Sequence, residues 1–404
     1  MPSISSESPS EASLIERIAI LEQRKAAIAA EQSEAVLAFA RAHAESQAAA
    51  GTVEPDALER SIAAQVGLAC RVSPTEGRRR VRMARDLHAG HDRVRALFAA
   101  GRLCEYRTAT IVAATAHLSP TERAQVDQAL ADQHVDTLGV RRIHDLTRTL
   151  AAQVAPGKFL TRCRAARSGR RVSVRPAADG MADLTAHLPV GEAVACYAAL
   201  AAAVNEAAVS PEPLTRSRGQ VMADTLVERL TGQTTAGDVN VEIQVLVPVE
   251  ALVDPTSPLP AQIPGHGPVP IDLLTTGAAR TTWRRLITSE GVVIGGDSRS
   301  RLFTGRLAAL IRARDGGRCR ESYCDAPIRH LDHIHRWADG GTTEFDNGRG
   351  LCAFHNQVRE TPGWKAEVTA RGIVTTTPTG AEYVTTAIPV NRSVSENANR
   401  SCVA

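Results

Sequence analysis

Aromatic residues make up only 3% of this 404-residue chain, and of its 47 basic residues only Lys25, Lys158 and Lys365 are lysine. With so few large rings, the core has to come from aliphatic and small side chains, which points to close small-residue helix packing. Long apolar runs are missing as well. The longest, Ala193 to Val204, has twelve residues between Glu192 and Asn205. That is short of the roughly twenty needed to cross a bilayer, so a buried helix is expected there and no membrane partner. Met1 to Ala12 is rich in Ser, Pro and Glu and lacks a basic or apolar leader region, which excludes a secretory signal and points to the cytoplasm. The formal net charge of +3 is too small to imply a polyanionic partner by itself, so a nucleic-acid surface would have to be local.

What is present suggests two or three folded units, at roughly 100–200 residues per domain. Hydrophobic content of 43% and charge of 23% are globular values. Leu14, Ile18, Ile20, Leu21, Ile28, Val36, Leu37 and Phe39, interleaved with Glu and Arg, predict a helix over Ser13 to His43. It sustains no strict heptad, so it reads as an amphipathic helix packed on its own domain rather than a coiled-coil arm. From Leu58 to Gln153 helices alternate with short Gly and Ser-Pro punctuation. Ser73 with Glu76, and Ser119 with Glu122, have the spacing of capping boxes that start helices. The pair of helices around Ser73 resembles a helix-turn-helix with a basic second helix carrying Arg78, Arg79, Arg80, Arg82 and Arg85. A plain helical hairpin in an arginine-rich chain has the same appearance.

Beyond Gly157 the pattern changes to alternation. Arg171 to Arg175, Ala182 to Leu188 and Val239 to Val247 read as strands, with a helix over Arg216 to Leu230. Six prolines from Pro255 to Pro270 then break every regular pattern. The expected organisation is a disordered N-terminus over 1–12, a mainly helical domain with a small sheet over 13–250, a Pro-rich linker over 251–300, a C-terminal module over 301–375 and a polar tail over 376–404. The fold class is α+β. Cys70, Cys104, Cys163, Cys196 and Cys402 are widely spaced and read as reduced small hydrophobes.

The remaining three cysteines and four of the twelve histidines fall between Cys319 and His355. Cys319 and Cys324 are separated by four residues, and Cys352 and His355 by two at what reads as a helix start. Sulfur and imidazole donors at these spacings predict a structural zinc site. A second set carries oxygen and proton chemistry. Asp332 offers an oxygen donor to a hard cation, and His333, with an ordinary pKa near roughly 6.5, is suited to take a proton from water. Asn356 follows His355 on the helix and points about 100° away from it, toward a second cation. With two light protein ligands that cation would be completed by water and phosphate oxygens, as magnesium is. In a regular strand Asp332 and His333 face opposite sides, so one site needs the strand to end or bend. His330 and His335 lie within reach as substitutes, and Arg336, Arg349 and Arg359 read either as phosphate ligands or as solvated charges.

Cys319-x4-Cys324, Leu331-Asp-His-Ile, Trp337-Ala-Asp-Gly-Gly, Asp346-Asn347 and Leu351-Cys-x-x-His-Asn resemble the HNH endonuclease motif in its zinc-bearing, treble-clef form. The resemblance covers roughly Arg312 to Trp364. The layout of the whole chain is similar to bacterial proteins of domain-of-unknown-function family 222 that carry HNH modules. The resemblance implies a ββα-metal fold, His333 as general base, Asp332 and Asn356 as ligands of a catalytic magnesium or other divalent ion, and Asn347 as the residue that ties down the loop carrying His333. It also implies hydrolysis of phosphodiester bonds in double-stranded DNA, leaving 5′-phosphate and 3′-hydroxyl ends. Many relatives have histidine where this chain has Asn356. The rival expectations are a non-catalytic, zinc-stabilised nucleic-acid-binding protein with a degenerate HNH module, and an interaction scaffold. In either case the N-terminal helices are candidates for homodimer contacts.

Overall fold

A computed structural model describes residues 10–51, 54–131, 133–208, 216–232, 242–248, 260–263, 267–269, 282–289, 292–293, 297–298 and 302–386. The expected disordered segment before residue 10, most of the Pro-rich linker and the tail beyond residue 386 lie outside the described residues. The chain divides into two compact units, Met1–Ala165 and Ala166–Ala404. That division falls near the change of periodicity after Gly157 and ahead of the prolines.

The first unit is helical: α1 (Glu11–Ala50), α2 (Pro55–Ala69), α3 (Pro74–His88), α4 (Asp92–Ala99), α5 (Glu105–Thr115), α6 (Pro120–Ala131), α7 (Val140–Val154) and α8 (Pro156–Ala166), the last ending at the division. Phe98, Leu103, Ile111, Leu130 and Ile143 form its fully buried centre. Small residues set the close contacts, as the shortage of aromatics requires. A Cβ on Gly77 in α3 would stand 2.3 Å from the Ala63 carbonyl oxygen and 2.8 Å from the Gly67 nitrogen, so α2 and α3 cross almost backbone to backbone. Ser119 and Glu122 form both halves of a capping box. Ser73 caps α3 by accepting from the Glu76 N–H, but the Glu76 carboxylate is taken by Arg79.

The second unit mixes strands and helices. It begins with an antiparallel pair, β1 (Arg171–Pro176) and β2 (Ala182–His187), followed by α9 (Val190–Ala208) and α10 (Arg218–Thr231). The expectation of a buried helix over Ala193 to Val204 is corrected here: α9 is mostly exposed, with Val194 and Tyr197 each 61% accessible. An alanine-rich run has little apolar area to gain by burial, and α10 is its main packing partner among the described residues. Cys163 and Cys196 are free and exposed, while Cys70 and Cys104 are free and half-buried. A five-stranded sheet with order β5-β4-β3-β6-β7 follows, built from β3 (Glu242–Pro248), β4 (Ala261–Ile263), β5 (Gly267–Val269), β6 (Thr282–Ser289) and β7 (Val292–Val293). Strand β8 (Asp297–Ser298) then leads toward the C-terminal segment.

That segment places the cysteines and histidines. It runs α11 (Gly305–Arg314), β9 (His330–His333), β10 (Thr343–Glu344), β11 (Gly348–Leu351), α12 (Ala353–Val358) and a three-stranded meander of β12 (Lys365–Thr369), β13 (Gly372–Thr376) and β14 (Glu382–Thr385). Strand β14 lies where a polar tail was expected, so regular structure continues past residue 375. Strands β9 and β11 pair antiparallel, with His333 opposite Gly348 and Asp332 opposite Arg349. Phe303, Leu307, Ile311 and Phe345 pack against this hairpin. Gly348 leaves the room they need, since a Cβ there would meet Ile311 Cδ1 at 2.5 Å and Phe303 Cε1 at 2.8 Å.

Candidate functional site

Two chain turns bring four donors together. The loop after α11 carries Cys319 and Cys324, and the end of β11 carries Cys352 into α12, where the Cys352 Sγ accepts the His355 N–H as the helix N-cap. All four side chains are buried, and their ligand atoms lie within 4.8 Å of one another. Cys319 Sγ is 3.3 Å from His355 Nδ1, Cys352 Sγ is 3.6 Å from it, and Cys324 and Cys352 Sγ are 3.9 Å apart. A tetrahedral zinc with bonds of about 2.3 Å to sulfur and about 2.0 Å to nitrogen has ligand-to-ligand edges of about 3.5–3.8 Å. The donor set therefore fits a metal ion such as zinc in identity, spacing and burial.

The protonation pattern agrees with such a role. Hydrogen bonds from Cys319 and Cys324, and the neighbouring His355, hold the Cys352 thiol far below its ordinary range. Crowding by Cys324 and Cys352, with burial, pushes Cys319 up. Burial opposes a charged His355, yet its contacts with Cys324 and Cys352 and the nearby Glu321 carry its pKa to about 9. Without a metal Cys319 and His355 hold protons that a cation would displace, while Cys352 is already a thiolate.

The second set divides across β9. On one face His333 is 9% exposed; its Nε2 hydrogen bonds with Thr343 Oγ1 at 2.9 Å. Its ring lies 4.4 Å from Phe303 and 5.9 Å from Trp337, centroid to centroid. On the other face Asp332 forms ion pairs with Arg359 and, at 3.8 Å, with Arg349. The strand neither ends nor bends between them, so the period-2 rule holds and the two side chains part.

Asn347 lies beside the turn that follows His333. Its Oδ1 accepts the His335 N–H at 2.8 Å, and its Nδ2 donates to the carbonyls of His335 at 3.1 Å and Thr342 at 2.7 Å. Asn356 is half-buried on α12, its backbone N–H donating to the Cys352 carbonyl. His330 and His335 are exposed.

Two of the three arginines, Arg349 and Arg359, are buried in ion pairs, whereas Arg336 is partly exposed. Arg349 is 2% exposed and pairs with buried Glu321 at 3.3 Å. Arg359 also donates to the Ile334 carbonyl at 3.0 Å, and burial lowers its pKa. Arg336 pairs with Glu360 and donates to the Arg359 carbonyl. The sequence reading missed Glu321 and Thr343 entirely; neither sits in a spacing that marks it.

A divalent-ion site built from Asp332 and Asn356 does not fit this arrangement, because the carboxylate is already neutralised by two guanidinium groups. Among the described residues the three cysteines and His355 are the group that can hold a metal. The basic helix of the helix-turn-helix expectation is divided, with Arg78 and Arg82 exposed. On α3, Arg79 is bound to Glu76, Arg80 to Gln32 and Glu76, and Arg85 to Glu59. Among the described residues, no helix is long and apolar enough to cross a membrane.

A family model described as "Domain of unknown function (DUF222)" matches residues 16–315, stopping just short of Cys319. No curated protein and no solved structure matches.

Proposed function

Because the chain belongs to the DUF222 family, whose description assigns no activity, we propose from the site alone that its C-terminal segment is an HNH endonuclease module hydrolysing phosphodiester bonds in DNA. The observation that carries this reading is the Asn347 clasp, which fixes the turn leaving His333 by three hydrogen bonds. In an HNH module the central asparagine has this positioning task. The zinc-fitted donors and the β9–β11–α12 order supply the treble-clef ββα frame in which the clasp has meaning.

In this reading His333 is the general base. It takes the proton of a water whose oxygen attacks phosphorus, the bond from phosphorus to the 3′ oxygen breaks, and the 3′ oxygen leaves to be protonated by solvent. Thr343 and the rings of Phe303 and Trp337 orient the imidazole. Zinc, when bound, supplies fold stability at a distance from this chemistry. The catalytic magnesium expected from the resemblance has no ready ligand set among the described residues.

A second reading rests on the ion pairs of Asp332 with Arg359 and Arg349. They favour a zinc-stabilised module that binds nucleic acid without cutting it. Plasmid nicking separates the two, run with wild type, His333→Ala and Asn347→Ala in buffer alone and with magnesium or manganese. The nuclease reading expects nicking by wild type and at least about a hundredfold loss in His333→Ala. Equal nicking by both would remove His333 from the mechanism, and no nicking in any metal with DNA binding intact selects the second reading.

A further inference from the structure

Helix α1 is 40 residues long, and its two halves are buried differently. Ala26, Ala30, Val36, Leu37 and Ala40 are buried within the helical unit. Earlier in the helix Leu14, Ile18, Leu21 and Ile28 are 43%, 61%, 51% and 64% exposed. Scattered singly, exposed aliphatic residues are ordinary. Ile15 and Ile20, at 67% and 42%, stand on other sides of the helix, but these four share one side. With Lys25 they repeat at alternating intervals of four and three residues, and at about 100° per residue they form one stripe within about 40° of its midline.

The opposite side of the helix is the attached one. Gln23 lies about 180° from the stripe, and its side-chain amide donates to the Ala100 carbonyl at 3.1 Å. A Cβ on Gly101 would stand 2.4 Å from the Gln23 carbonyl oxygen. The helix is thus held by its back at Gln23, while residues 11–25 are exposed on every side; the apolar seam is the side turned away from that anchor. Over Leu14 to Ile28 the stripe keeps the four-three spacing of two heptads, with Lys25 in one of its five places.

We propose that this seam pairs with the same seam of a second copy of the chain, as a short parallel coiled coil. Leu14, Leu21 and Ile28 occupy d positions, and Ile18 and Lys25 occupy a positions. The flanking charges choose the occupant and its direction. In a parallel pair each g residue faces the e residue of the next heptad on the partner. Here that sets Arg17 against Glu22, twice, by two-fold symmetry. An antiparallel pair sets g against g, which brings Arg17 to Arg24 and repels. Lys25 at an a position lowers stability while favouring a defined register and a dimer. Its ammonium donates to Glu22 of its own chain at 2.6 Å, so the charge at the seam is answered locally. Nothing in this pairing depends on the nuclease reading.

Sedimentation equilibrium of the full chain from about 1 to about 100 μM tests it. Wild type is expected as a monomer–dimer equilibrium. Ile18→Glu with Leu21→Glu is expected to remove the dimer, with an unchanged far-UV spectrum because both side chains are exposed. Arg17→Glu should weaken the dimer about tenfold, and adding Glu22→Arg should restore it. Lys25→Leu should tighten it by a similar factor. A wild type that stays monomeric overturns the proposal. So does a dimer that persists in the double glutamate variant, a charge swap that fails to restore pairing, or association abolished by Val194→Glu on α9 instead.

Discussion

Asn347 grips His335 from both sides of its residue, accepting its N–H through Oδ1 at 2.8 Å and donating to its carbonyl through Nδ2 at 3.1 Å. The turn after His333 therefore owes its shape to one side chain twelve residues further along the chain. Asn347→Ala removes these two bonds and the one to Thr342. The local cost is about 1–3 kcal/mol, felt in the turn from His335 to Thr342 and not in the metal donors. The expected result is loss of nicking with zinc content unchanged. Equal activity in this variant would remove the clasp from the mechanism.

Cys319→Ser tests the metal centre directly. One of four buried donors is weakened, and a structural zinc of this kind contributes on the order of 10–16 kcal/mol to folding of a small domain. Zinc measured by mass spectrometry should fall from about one per chain to near none. Hydrogen exchange should speed up across residues 302–386 while the helices within residues 10–165 keep their protection. Full zinc content with unchanged exchange would count against the site.

These two sets of residues were not equally legible in the sequence. Cysteine and histidine donors announce themselves by spacing, and Asn347 by its place in the HNH-like pattern. Arg349 and Arg359 do not, because nothing distinguishes two buried arginines among 47 basic residues; only the fold shows which ones meet Asp332 and Glu321. The parting of Asp332 and His333 followed from strand periodicity. The exposure of α9 did not, since apolar composition does not show whether a partner is present. Ser119 and Glu122 formed their full capping box, but at Ser73 the predicted partner Glu76 turned to Arg79, a competition that spacing alone cannot register.

Gly77→Ala should destabilise the helical unit by about 1–3 kcal/mol or more, because the added methyl would sit 2.3 Å from the Ala63 carbonyl oxygen, a backbone atom that cannot swing aside. Urea denaturation monitored by circular dichroism measures it. An unchanged midpoint would mean that the α2–α3 crossing is looser than it stands here.

Acid should weaken the same unit. His91 is fully buried, with Nδ1 2.9 Å from the Asp86 carbonyl and Nε2 2.8 Å from Thr115 Oγ1. Burial lowers its pKa, and burial also lowers those of His43 and, with help from Arg162 and Lys158, His117. In the unfolded chain these rings gain protons near their ordinary pKa of roughly 6.5, ahead of the folded chain. Stability from this source is complete above that value and declines as pH falls through it toward the depressed folded values. Denaturation midpoints at about pH 7.5 and about pH 5 should differ in that direction, and His91→Gln should flatten the difference. A midpoint that rises on acidification would contradict the assignment.

His355 and Arg359 lie one turn apart on α12, one turned to the cysteines and the other to Asp332. Whatever loosens the first residue's anchorage also moves the second. Loss of a metal from the cysteines would therefore loosen the same helix end that holds the Asp332–Arg359 ion pair.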